Sequence, residues 1–352
     1  MNVKAGAPSV ADPHSALSVV EVIIVSYKTS TLVTKLLNSL ALERIAAAKH
    51  GIAIRALVVD NASGDAQTLN RTVVESGWLD WVEIAESPRN GGFAYGNNLG
   101  FRHGFASARV PDYFFLLNPD TEVRLGAVSS LVGFIAQHRR AGIAASSLEG
   151  RDGTLWPFAF RFPSLCSELD QGLRVGVVTK LLGRHVVTRR MGTAPEQVDW
   201  FPGASMMIRR EVIEQVGGMD ERFFLYYEET DYCRKVKNAG WELWYVPQSR
   251  VMHLAGQSTG VTDRQEEAQR LPDYWFESRR RYFLKNHGLL YAMATDAVLL
   301  VSYAIGQAKE RIKLRPDRGT PYLLSDILRH SPLRKANRTI LPAEEFRPAR
   351  AS

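Results

Sequence analysis

Three carboxylates lie within four consecutive positions of the segment YYEETDY, residues 226–232, and tyrosines flank them on both sides. Glu228, Glu229 and Asp231 repel one another when ionised, and aromatic neighbours reduce their solvation, so the pKa of at least one should rise. A carboxylate with a raised pKa can accept a proton from a hydroxyl group while that oxygen attacks an activated carbon. The alternative is a solvated helix start, because acidic side chains in a first turn interact favourably with the helix dipole.

A second group of candidate residues lies in the segment LLNPDTEV, residues 116–123. Asn118 and Asp120 follow an apolar run, and Pro119 fixes the backbone between them so that both side chains can face one ligand. Asp120 offers a carboxylate oxygen to Mg²⁺ or Mn²⁺, with diphosphate oxygens and waters as the remaining ligands. The alternative for Asp120 is a turn that caps a helix near residue 125.

A candidate histidine ends a strand-like run in VMHLAGQST, residues 251–259. The imidazole of His253 can complete a metal shell or donate a hydrogen bond to a diphosphate. A purely structural role is the alternative for a single histidine of this kind.

The elements that carry these residues alternate between apolar strands and helices. VVEVIIVSYKTS, from residue 19, is a β-branched run typical of a strand buried on both faces, and the next twenty residues have helical spacing. The same pattern recurs up to about residue 140, which predicts a mostly parallel sheet with helices on both faces. Such sheets bind ligands beyond the carboxyl ends of their strands, where this sequence has polar residues: Ser26, Tyr27, Asp60, Asn61, Asn90 to Gly92, Asn118 and Asp120.

The regular alternation of strands and helices ends after about residue 150. RDGTLWPFAFRFPSL is aromatic and interrupted by proline, residues 170–198 are predicted to form a basic helical region, and VDWFPGASMMIRREVIEQVGGMD returns to a strand and a short helix. We predict four segments: a disordered lead (1–18), a nucleotide-binding half (19–150), an acceptor-binding half (151–285) and a basic, amphipathic helical extension (286–352).

Six motifs, in order over about residues 20–285, resemble the family 2 glycosyltransferases, in particular the rhamnosyltransferase-like branch. They are VIIVSYKTS, VVDNASGD, NGGFAYGNNLG, LLNPDTEV, the run from WFPGASMM to WELWYVP, and VMHLAGQSTG. The resemblance implies an α/β fold of the GT-A type, with a mostly parallel nucleotide-binding sheet flanked by helices. It also implies an inverting transfer from a nucleoside-diphosphate sugar, with Mg²⁺ or Mn²⁺ as cofactor.

The resemblance assigns nucleotide contacts to five residues of this chain. Ser26 and Tyr27 match the contacts of the first strand, and Asp60, with Asn61 beside it, matches the residue that reads a pyrimidine base. Asn98 matches an asparagine near the ribose and the diphosphate.

Four further residues match the sugar pocket and the metal site. Gly203 and Ala204 lie in the segment that usually lines the sugar pocket, Asp120 matches the last aspartate of the metal-binding Asp-x-Asp motif, and His253 matches a late histidine near the metal and diphosphate. Asn118 replaces the first aspartate of that motif, which weakens the expectation that metal is held tightly before the substrate arrives.

The catalytic pair also departs from the family pattern, because this chain has Glu228-Glu229 where Glu-Asp is usual. Glu229 matches the position of the general base and is one methylene longer. Asp231 and Glu228 are the substitutes if the longer side chain of Glu229 points elsewhere.

Composition indicates an ordinary globular protein with a basic C-terminal part. The 352 residues include 45% hydrophobic and 23% charged side chains, and the net charge of +7 is concentrated in segments such as ESRRRYFLKNHG (277–288) and QAKERIKLRPDRG (307–319). That skew predicts an anionic partner such as a lipid surface. We do not expect nucleic acid, because zinc-knuckle spacing and a basic DNA-reading helix are missing from the sequence.

Cysteine usage and the N-terminus predict a cytoplasmic protein. Cys166 and Cys233 are far apart in sequence and are expected to be reduced core residues, and the first twenty residues do not resemble a signal peptide. The stretch LLYAMATDAVLLVSYAIG, residues 289–306, has the length of a membrane span, but Asp296 lies at its middle, where a buried charge is costly. A packed or membrane-surface helix, peripheral attachment and a true span all remain open.

These observations predict a glycosyltransferase that works on the cytoplasmic face of the inner membrane. We expect it to move L-rhamnose from dTDP-L-rhamnose to a polysaccharide or polyprenyl-linked glycan, and the same chemistry with a UDP- or GDP-sugar is the first alternative. A sugar nucleotidyltransferase would need a glycine-rich phosphate loop after the first strand, whereas the chain reads VSYKTSTL there. A non-catalytic nucleotide-sugar-binding scaffold is the third possibility. The sequence does not predict the oligomeric state.

Overall fold

The structure is a computed structural model that describes residues 17–156, 158–254, 269–312 and 320–349. The strands are β1 (Ser18–Ser26), β2 (Ile52–Asp60), β3 (Val82–Glu86), β4 (Tyr113–Leu117), β5 (Thr121–Val123), β6 (Ala141–Glu149), β7 (Leu155–Trp156), β8 (Phe158–Phe160), β9 (Thr188–Arg190), β10 (Glu196–Gln197), β11 (Ser205–Arg209) and β12 (Glu242–His253). The helices are α1 (Ser30–Ala48), α2 (Ala66–Glu75), α3 (Gly92–Ala106), α4 (Ala127–Gln137), α5 (Leu165–Leu173), α6 (Gly176–Leu181), α7 (Arg210–Val216), α8 (Glu228–Asn238), α9 (Asp273–Ile312) and α10 (Leu323–His330).

One large sheet organises the chain, with the strand order β10-β12-β6-β11-β4-β1-β2-β3. The first four strands are parallel, since β1 pairs with β2 and β4, and β2 pairs with β3, all in the same direction. β11 lies antiparallel between β4 and β6, and β12 continues the sheet parallel to β6. The predicted α/β fold, with a mostly parallel central sheet flanked by helices, is confirmed.

Apolar side chains cover both faces of this sheet, which explains why its strands are apolar without alternation. Val22 and Ile24 of β1 pack with α1 and α4 on one face, whereas Ile23, between them, packs with α3 and α7 on the other. Successive side chains of a strand point to opposite faces, so a strand between two helical layers needs apolar residues at every position.

The predicted basic helical region over residues 170–198 is wrong in its second half. Helix ends with α6 at Leu181, and two short strands follow. β9 pairs with β8, and β10 pairs with the edge of the large sheet at β12. These pairings depend on distant partners and override the local composition.

The two cysteines differ in their surroundings. Cys233, on the buried face of α8, is fully buried in the core, as predicted, whereas Cys166 is only half-buried, and both are free thiols.

α9 crosses residue 285, the predicted boundary of the C-terminal extension. It is broken at Gly288, whose φ of 80° lies in the left-handed region. Arg279 and Asp296 form an ion pair across this break, although a straight helix would separate them by about 25 Å. The chain therefore turns back at Gly288, and α9 has two arms, residues 273–287 and 289–312.

The end of the described chain also returns to the core. Phe346 packs against Phe105 of α3, and the Nζ atom of Lys235 lies 2.7 Å from a carboxylate oxygen of Glu345. The division at residue 285 remains a prediction, and part of the basic segment 307–319 lies outside the described residues.

By length and composition alone, α9 includes a stretch that could cross a membrane. An 18-residue window has a mean hydropathy of 1.6, and 33% of that window is buried inside the protein. Core helices of soluble proteins can have the same properties, so this is weak evidence for a membrane span.

Candidate active site

A cavity of about 560 Å³ opens beyond the carboxyl ends of β1, β2, β3 and β4. The polar residues that follow these strands line it, as the sequence predicts for a sheet of this type. They are Tyr27, Asn61, Asn90 and Asn118. The cavity therefore lies where a nucleotide would meet the parallel half of the sheet.

The first turn of α8 brings two glutamates to the same cavity. Glu228 and Glu229 both line it. Tyr226 and Tyr227, which precede them, have φ angles of 68° and 65°. Two consecutive non-glycine residues in the left-handed region are uncommon, and such backbone persists only where the surroundings hold it.

Three contacts with neighbouring helices hold the segment that precedes α8. The N–H of Phe93 in α3 donates to the carbonyl oxygen of Phe224 at 3.0 Å, and the hydroxyl of Ser278 in α9 donates to the carbonyl oxygen of Leu225 at 3.0 Å. A Cβ atom at Gly92 would lie only 1.7 Å from the Phe224 oxygen. Only glycine permits this approach, so α3 fixes the position from which α8 starts.

Burial shifts the acidity of both glutamates. It raises the pKa of Glu229 from 4.5 to about 7, and hydrogen bonds from the backbone amides of Glu229 and Gly203 oppose the rise. Burial and the charge of Glu229 raise the pKa of Glu228 well above its ordinary value. Among the described residues, the Oε2 atoms of both glutamates have no hydrogen-bond partner. Both side chains are therefore available to a bound ligand.

The third carboxylate of the YYEETDY segment, Asp231, is not in the cavity lining. Its Oδ2 atom lies 2.7 Å from the Nζ atom of Lys285, and its Oδ1 atom accepts a hydrogen bond of 2.7 Å from the side-chain amide of Asn286. Both oxygens are already paired with the first arm of α9. Asp231 is therefore poorly placed as a substitute base, and it instead attaches α8 to α9.

Strand pairing brings Asp120 and His253 together although they are far apart in sequence. His253 pairs with Thr121 in the antiparallel pair of β12 and β5, and the N–H of Leu254 donates to the carbonyl oxygen of Asp120 at 2.9 Å. The Nε2 atom of His253 consequently lies 3.4 Å from the Oδ1 atom of Asp120. His253 lines the cavity, and Asp120 lies behind it, 2% exposed.

The donor set fits a divalent cation that takes most of its ligands from substrate and water. No group of three or more His, Cys, Asp or Glu side chains suited to a metal occurs in the described part of the chain. Asp120 and His253 supply one oxygen and one nitrogen, and hydrated cations of the Mg²⁺ type usually bind through one or two protein groups plus phosphates. Asp120 does not cap the next helix, because the residue before α4 is Gly126.

The segment before β11 forms another part of the cavity wall. Gly203 lines the cavity so close to Phe93 that a Cβ atom there would lie 2.8 Å from two ring carbons. Ala204 is buried, and its carbonyl oxygen accepts a hydrogen bond from the N–H of Asn118 at 3.2 Å. Ala204 therefore positions Asn118 rather than facing a ligand itself.

Ser26 and Asp60, which the resemblance assigns to nucleotide contacts, are buried behind the cavity wall. The Oγ atom of Ser26 lies 2.9 Å from the hydroxyl of Thr29, which lines the cavity. The Asp60 carboxylate accepts hydrogen bonds from the N–H groups of Ser63 at 3.1 Å and Ala66 at 3.2 Å. In this structure both residues shape the loops that a nucleotide would contact.

Asn98 also lies outside the cavity lining. Its side chain exchanges two hydrogen bonds with the backbone of Met219, at 2.8 and 2.9 Å, and its amide donates to Glu221 at 2.9 Å. It thereby joins α3 to the loop between α7 and α8. The structure gives Asn98 a role in positioning that loop.

The aromatic residues that line the cavity near α8 were not predicted from the sequence. Phe93, Phe224, Tyr226 and Tyr274 all contribute to the lining, and the rings of Tyr226 and Tyr274 stack with centroids 6.1 Å apart. The tyrosines of the YYEETDY segment were a signal for Tyr226. Tyr274 had no comparable signal, because its location depends on how α9 packs.

The sequence of this chain matches a family model and several known proteins. Residues 177–270 match the family model described as "Glycosyltransferase like family 2". The chain is 31% identical over 156 residues to N-acetylglucosaminyl-diphospho-decaprenol L-rhamnosyltransferase of Mycobacterium tuberculosis, a match covering 43% of this chain and 50% of that relative. It is 25% identical over 239 residues to rhamnosyltransferase WbbL of Escherichia coli K12, covering 67% of this chain and 83% of the relative.

A solved structure shares the fold at low sequence identity. The crystal structure of GalNAc-T7 with UDP, GalNAc and Mn²⁺ superposes with a TM-score of 0.55 and 17% identity, covering 91% of this chain and 59% of that one. This likeness concerns the fold alone. The matched segment also spans only about half the length of the mycobacterial relative.

Proposed function

We propose that this chain, in which residues 177–270 match a glycosyltransferase family 2 model and whose fold is of the GT-A type, is an inverting, metal-dependent glycosyltransferase. One observation carries the proposal: Glu229 and His253 line the same cavity, and His253 lies 3.4 Å from Asp120. A base for an incoming hydroxyl and ligands for a cation at a leaving diphosphate thus share one cleft.

At the anomeric carbon, the reaction assigned to this cleft forms one bond to oxygen and breaks another. The acceptor oxygen attacks the anomeric carbon from the face opposite the diphosphate, while the bond from that carbon to the diphosphate breaks and its electron pair leaves with the phosphate oxygen. Glu229 takes the proton of the acceptor hydroxyl, and its pKa of about 7 suits a general base near neutral pH. Attack from the opposite face inverts the configuration.

Asp120 and His253 would hold the divalent cation, Mg²⁺ or Mn²⁺. When bound, the cation neutralises the negative charge that develops on the departing diphosphate. Asn118, beside them at the end of β4, offers an uncharged amide where the family motif has a second carboxylate, so the protein alone should bind the cation weakly and the donor should strengthen binding.

The donor proposed is dTDP-L-rhamnose, because two relatives of this chain are named as rhamnosyltransferases. A UDP- or GDP-sugar remains the alternative donor. The acceptor proposed is a hydroxyl group of a polysaccharide or polyprenyl-linked glycan, since the mycobacterial relative is named for a decaprenol-linked substrate. An enzyme with such an acceptor would work at the cytoplasmic face of the inner membrane.

The two other functional classes have less support. A sugar nucleotidyltransferase lacks its expected glycine-rich phosphate loop here, because the residues after β1 are Tyr27, Lys28 and Thr29. A non-catalytic scaffold would have no need for a carboxylate held at a pKa near 7 in the cavity wall.

A transfer assay tests the proposal. The full chain would be incubated with Mn²⁺, a polyprenyl-linked glycan acceptor and, in separate reactions, dTDP-L-rhamnose, a UDP-sugar and a GDP-sugar. We expect glycosylated lipid and free nucleoside diphosphate in equal amounts, with the fastest transfer from dTDP-L-rhamnose and a loss of transfer when a chelator is added. In a parallel reaction with added pyrophosphate, formation of a nucleoside triphosphate and a sugar 1-phosphate from the donor would instead identify a nucleotidyltransferase.

Failure of all three donors is informative if nucleotide binding is measured in parallel. Thermal shift with dTDP, UDP and GDP in the presence of Mn²⁺ reports binding without catalysis. Stabilisation by a nucleotide with no transfer or hydrolysis of any donor would favour the scaffold, and no stabilisation would reject nucleotide-sugar binding altogether.

A further inference from the structure

The second arm of α9, residues 289–312, exposes an apolar stripe. Leu290 is 83% exposed, Val301 62%, Ile305 54% and Ile312 83%. Their separations of eleven, four and seven residues place them on one face of a helix. Ala294, Ala297, Ala304 and Ala308 occupy the intervening positions of the same face, so the stripe is apolar along its whole length. We call these eight residues the α9 stripe.

The opposite face of this arm is buried and contains three polar residues from its middle part. Thr295, Asp296 and Ser302 are all at most 3% exposed. Asp296 forms an ion pair with Arg279, which in turn lies 2.8 Å from Glu168 of α5. A helix with polar groups inside and apolar groups outside is suited to an apolar surrounding rather than to water. The same ion pairs argue against a span, because crossing the bilayer would expose Asp296 to lipid.

α6, which follows α5 in the chain, also exposes apolar side chains. Val177 and Leu181 are 70% and 80% exposed. The Nζ atom of Lys309 donates to the carbonyl oxygens of Leu173 and Arg174, at 2.9 and 2.7 Å, and so attaches the end of α5 to the end of α9. The chain therefore enters α6 from a point that is held against the second arm of α9.

The chain segments next to the α9 stripe carry mostly positive charge, and the acidic Glu310 is paired with Lys309. Residues 174–190 contain five basic side chains and no acidic one, and Arg311 adds another at the end of α9. The five are Arg174, Lys180, Arg184, Arg189 and Arg190. An apolar face with basic residues at its border is complementary to an anionic lipid surface. A second copy of the chain would bring the same positive charges together across a symmetric interface, which disfavours dimerisation through this face.

We infer that the α9 stripe and α6 form the face by which this protein lies on an anionic phospholipid bilayer. The inference rests on the proposed function, in which the acceptor is lipid-linked. The inference also assigns α9 two roles in that function. The first arm carries Tyr274 into the cavity lining and holds Leu225 through Ser278, while the second arm contacts the lipid. One broken helix thus joins the membrane surface to the cavity wall.

Vesicle binding by the full chain tests this inference. Binding is measured by co-sedimentation with vesicles of phosphatidylcholine alone and with vesicles of equal parts phosphatidylcholine and phosphatidylglycerol. We expect binding to the anionic vesicles to be at least about tenfold tighter and to weaken as salt is added. The triple variant Leu290→Glu, Val301→Glu, Ile305→Glu should weaken binding to the anionic vesicles by at least about tenfold.

Two further variants test separately whether vesicle binding depends on the basic side chains and whether it depends on the location of the substituted residues. Lys180→Glu with Arg184→Glu should reduce binding to the anionic vesicles and leave the weak binding to phosphatidylcholine unchanged. Leu42→Glu with Ile45→Glu is the matched control, because these α1 residues are 62% and 63% exposed but lie outside the α9 stripe. The control should bind vesicles like the wild type. Circular dichroism and thermal unfolding establish that each variant is folded, and Val301→Glu alone replaces the triple variant if that one is not.

Three results would overturn the inference. They are absence of binding to the anionic vesicles, equal binding by the wild type and the folded α9 variant, and conversion of a wild-type dimer to a monomer by the α9 variant in analytical ultracentrifugation. The last result would identify a second copy as the occupant of this face. Vesicle binding does not require catalysis, so Glu229→Gln should bind vesicles normally. Binding without sugar transfer would therefore count against the proposed function and leave the docking face intact.

Discussion

Two regions of this molecule bury carboxylates, and they treat them differently. In the cavity, Glu228 and Glu229 each have a carboxylate oxygen without a hydrogen-bond partner among the residues that the structure describes, and the pKa values of both are raised. Around the first arm of α9, Asp231 and Asp220 are paired with Lys285, and Asp220 is paired with Arg281 as well. Buried carboxylates therefore keep an oxygen without a partner in one region and form ion pairs that connect helices and loops in the other.

The two regions differ in whether the fold places a cationic side chain next to the buried carboxylate. Burial by itself raises the pKa of Asp220, but Lys285 and Arg281 outweigh burial and hold it below its ordinary value. Burial raises the pKa of Glu229, and no cation of the described chain counters it. An unneutralised buried carboxylate is costly to stability, and proteins retain such groups mainly at functional sites.

The strongest test of this comparison removes the charge of Glu229. We expect Glu229→Gln to lower the rate of sugar transfer by about 10³-fold, because a positioned general base contributes roughly 10² to 10⁴ in rate. Nucleotide affinity, measured by calorimetry with Mn²⁺, should stay within about twofold, since the base faces the acceptor rather than the nucleotide. Glu75→Gln on the exposed surface of α2 is the control and should behave like the wild type. Transfer by Glu229→Gln at a near wild-type rate would place the base elsewhere.

The matched experiment in the other region replaces Arg279, which is buried between Glu168 and Asp296. Arg279→Met should lower the free energy of unfolding by about 3 kcal/mol, because removing one partner leaves the two carboxylates buried without a cation. Arg311→Met, at the exposed end of α9, should change it by less than about 0.5 kcal/mol. Urea unfolding measures both. Equal stability of the two variants would mean that the buried ion pairs do not support the fold.

The smallest effect concerns pH and follows from the pKa of Glu229. The rate of transfer should rise with pH and reach half of its maximum near the pKa of about 7, because only the ionised carboxylate accepts a proton. A rate that is independent of pH between about 6 and 8 would contradict the assignment.

The raised pKa of Glu229 also predicts how the stability of the Glu229→Gln variant, relative to the wild type, changes with pH. A carboxyl group whose folded pKa is raised contributes stability below its unfolded pKa of 4.5, and this contribution is lost as the pH rises through about 7. The melting temperature of Glu229→Gln should therefore increase relative to that of the wild type between about pH 5 and pH 8. A constant difference between the two melting temperatures would contradict the burial of an ionisable group at this position.

Several features could be read from the sequence because they depend on local pattern. The β-branched run of β1 indicated a strand covered on both faces, and the polar residues after each early strand indicated the edge where the cavity opens. Tyr27, Asn61, Asn118, Gly203, Glu228, Glu229 and His253 were predicted and do line the cavity. Their assigned roles remain predictions that the experiments above test.

Other features were not accessible because they depend on residues that are distant in the chain. In the sequence Asp231 is one of three neighbouring carboxylates, and its cationic partner Lys285 lies fifty-four positions later in the chain. Asp296 made a membrane helix hard to judge until its partner Arg279 was known. Asp60 and Asn98 match nucleotide-binding motifs, but their side chains hydrogen-bond within the protein.

The sequence by itself determined the chemistry available to this protein: which strands are apolar, where polar residues follow them, and which segment concentrates carboxylates. Only the tertiary structure decided which of those carboxylates remain without a cation and which are neutralised, because a charge partner can come from any part of the folded chain. The energy of a buried ionisable group depends on all the groups that surround it in space. The first property is local in the sequence, and the second exists only after the chain has folded.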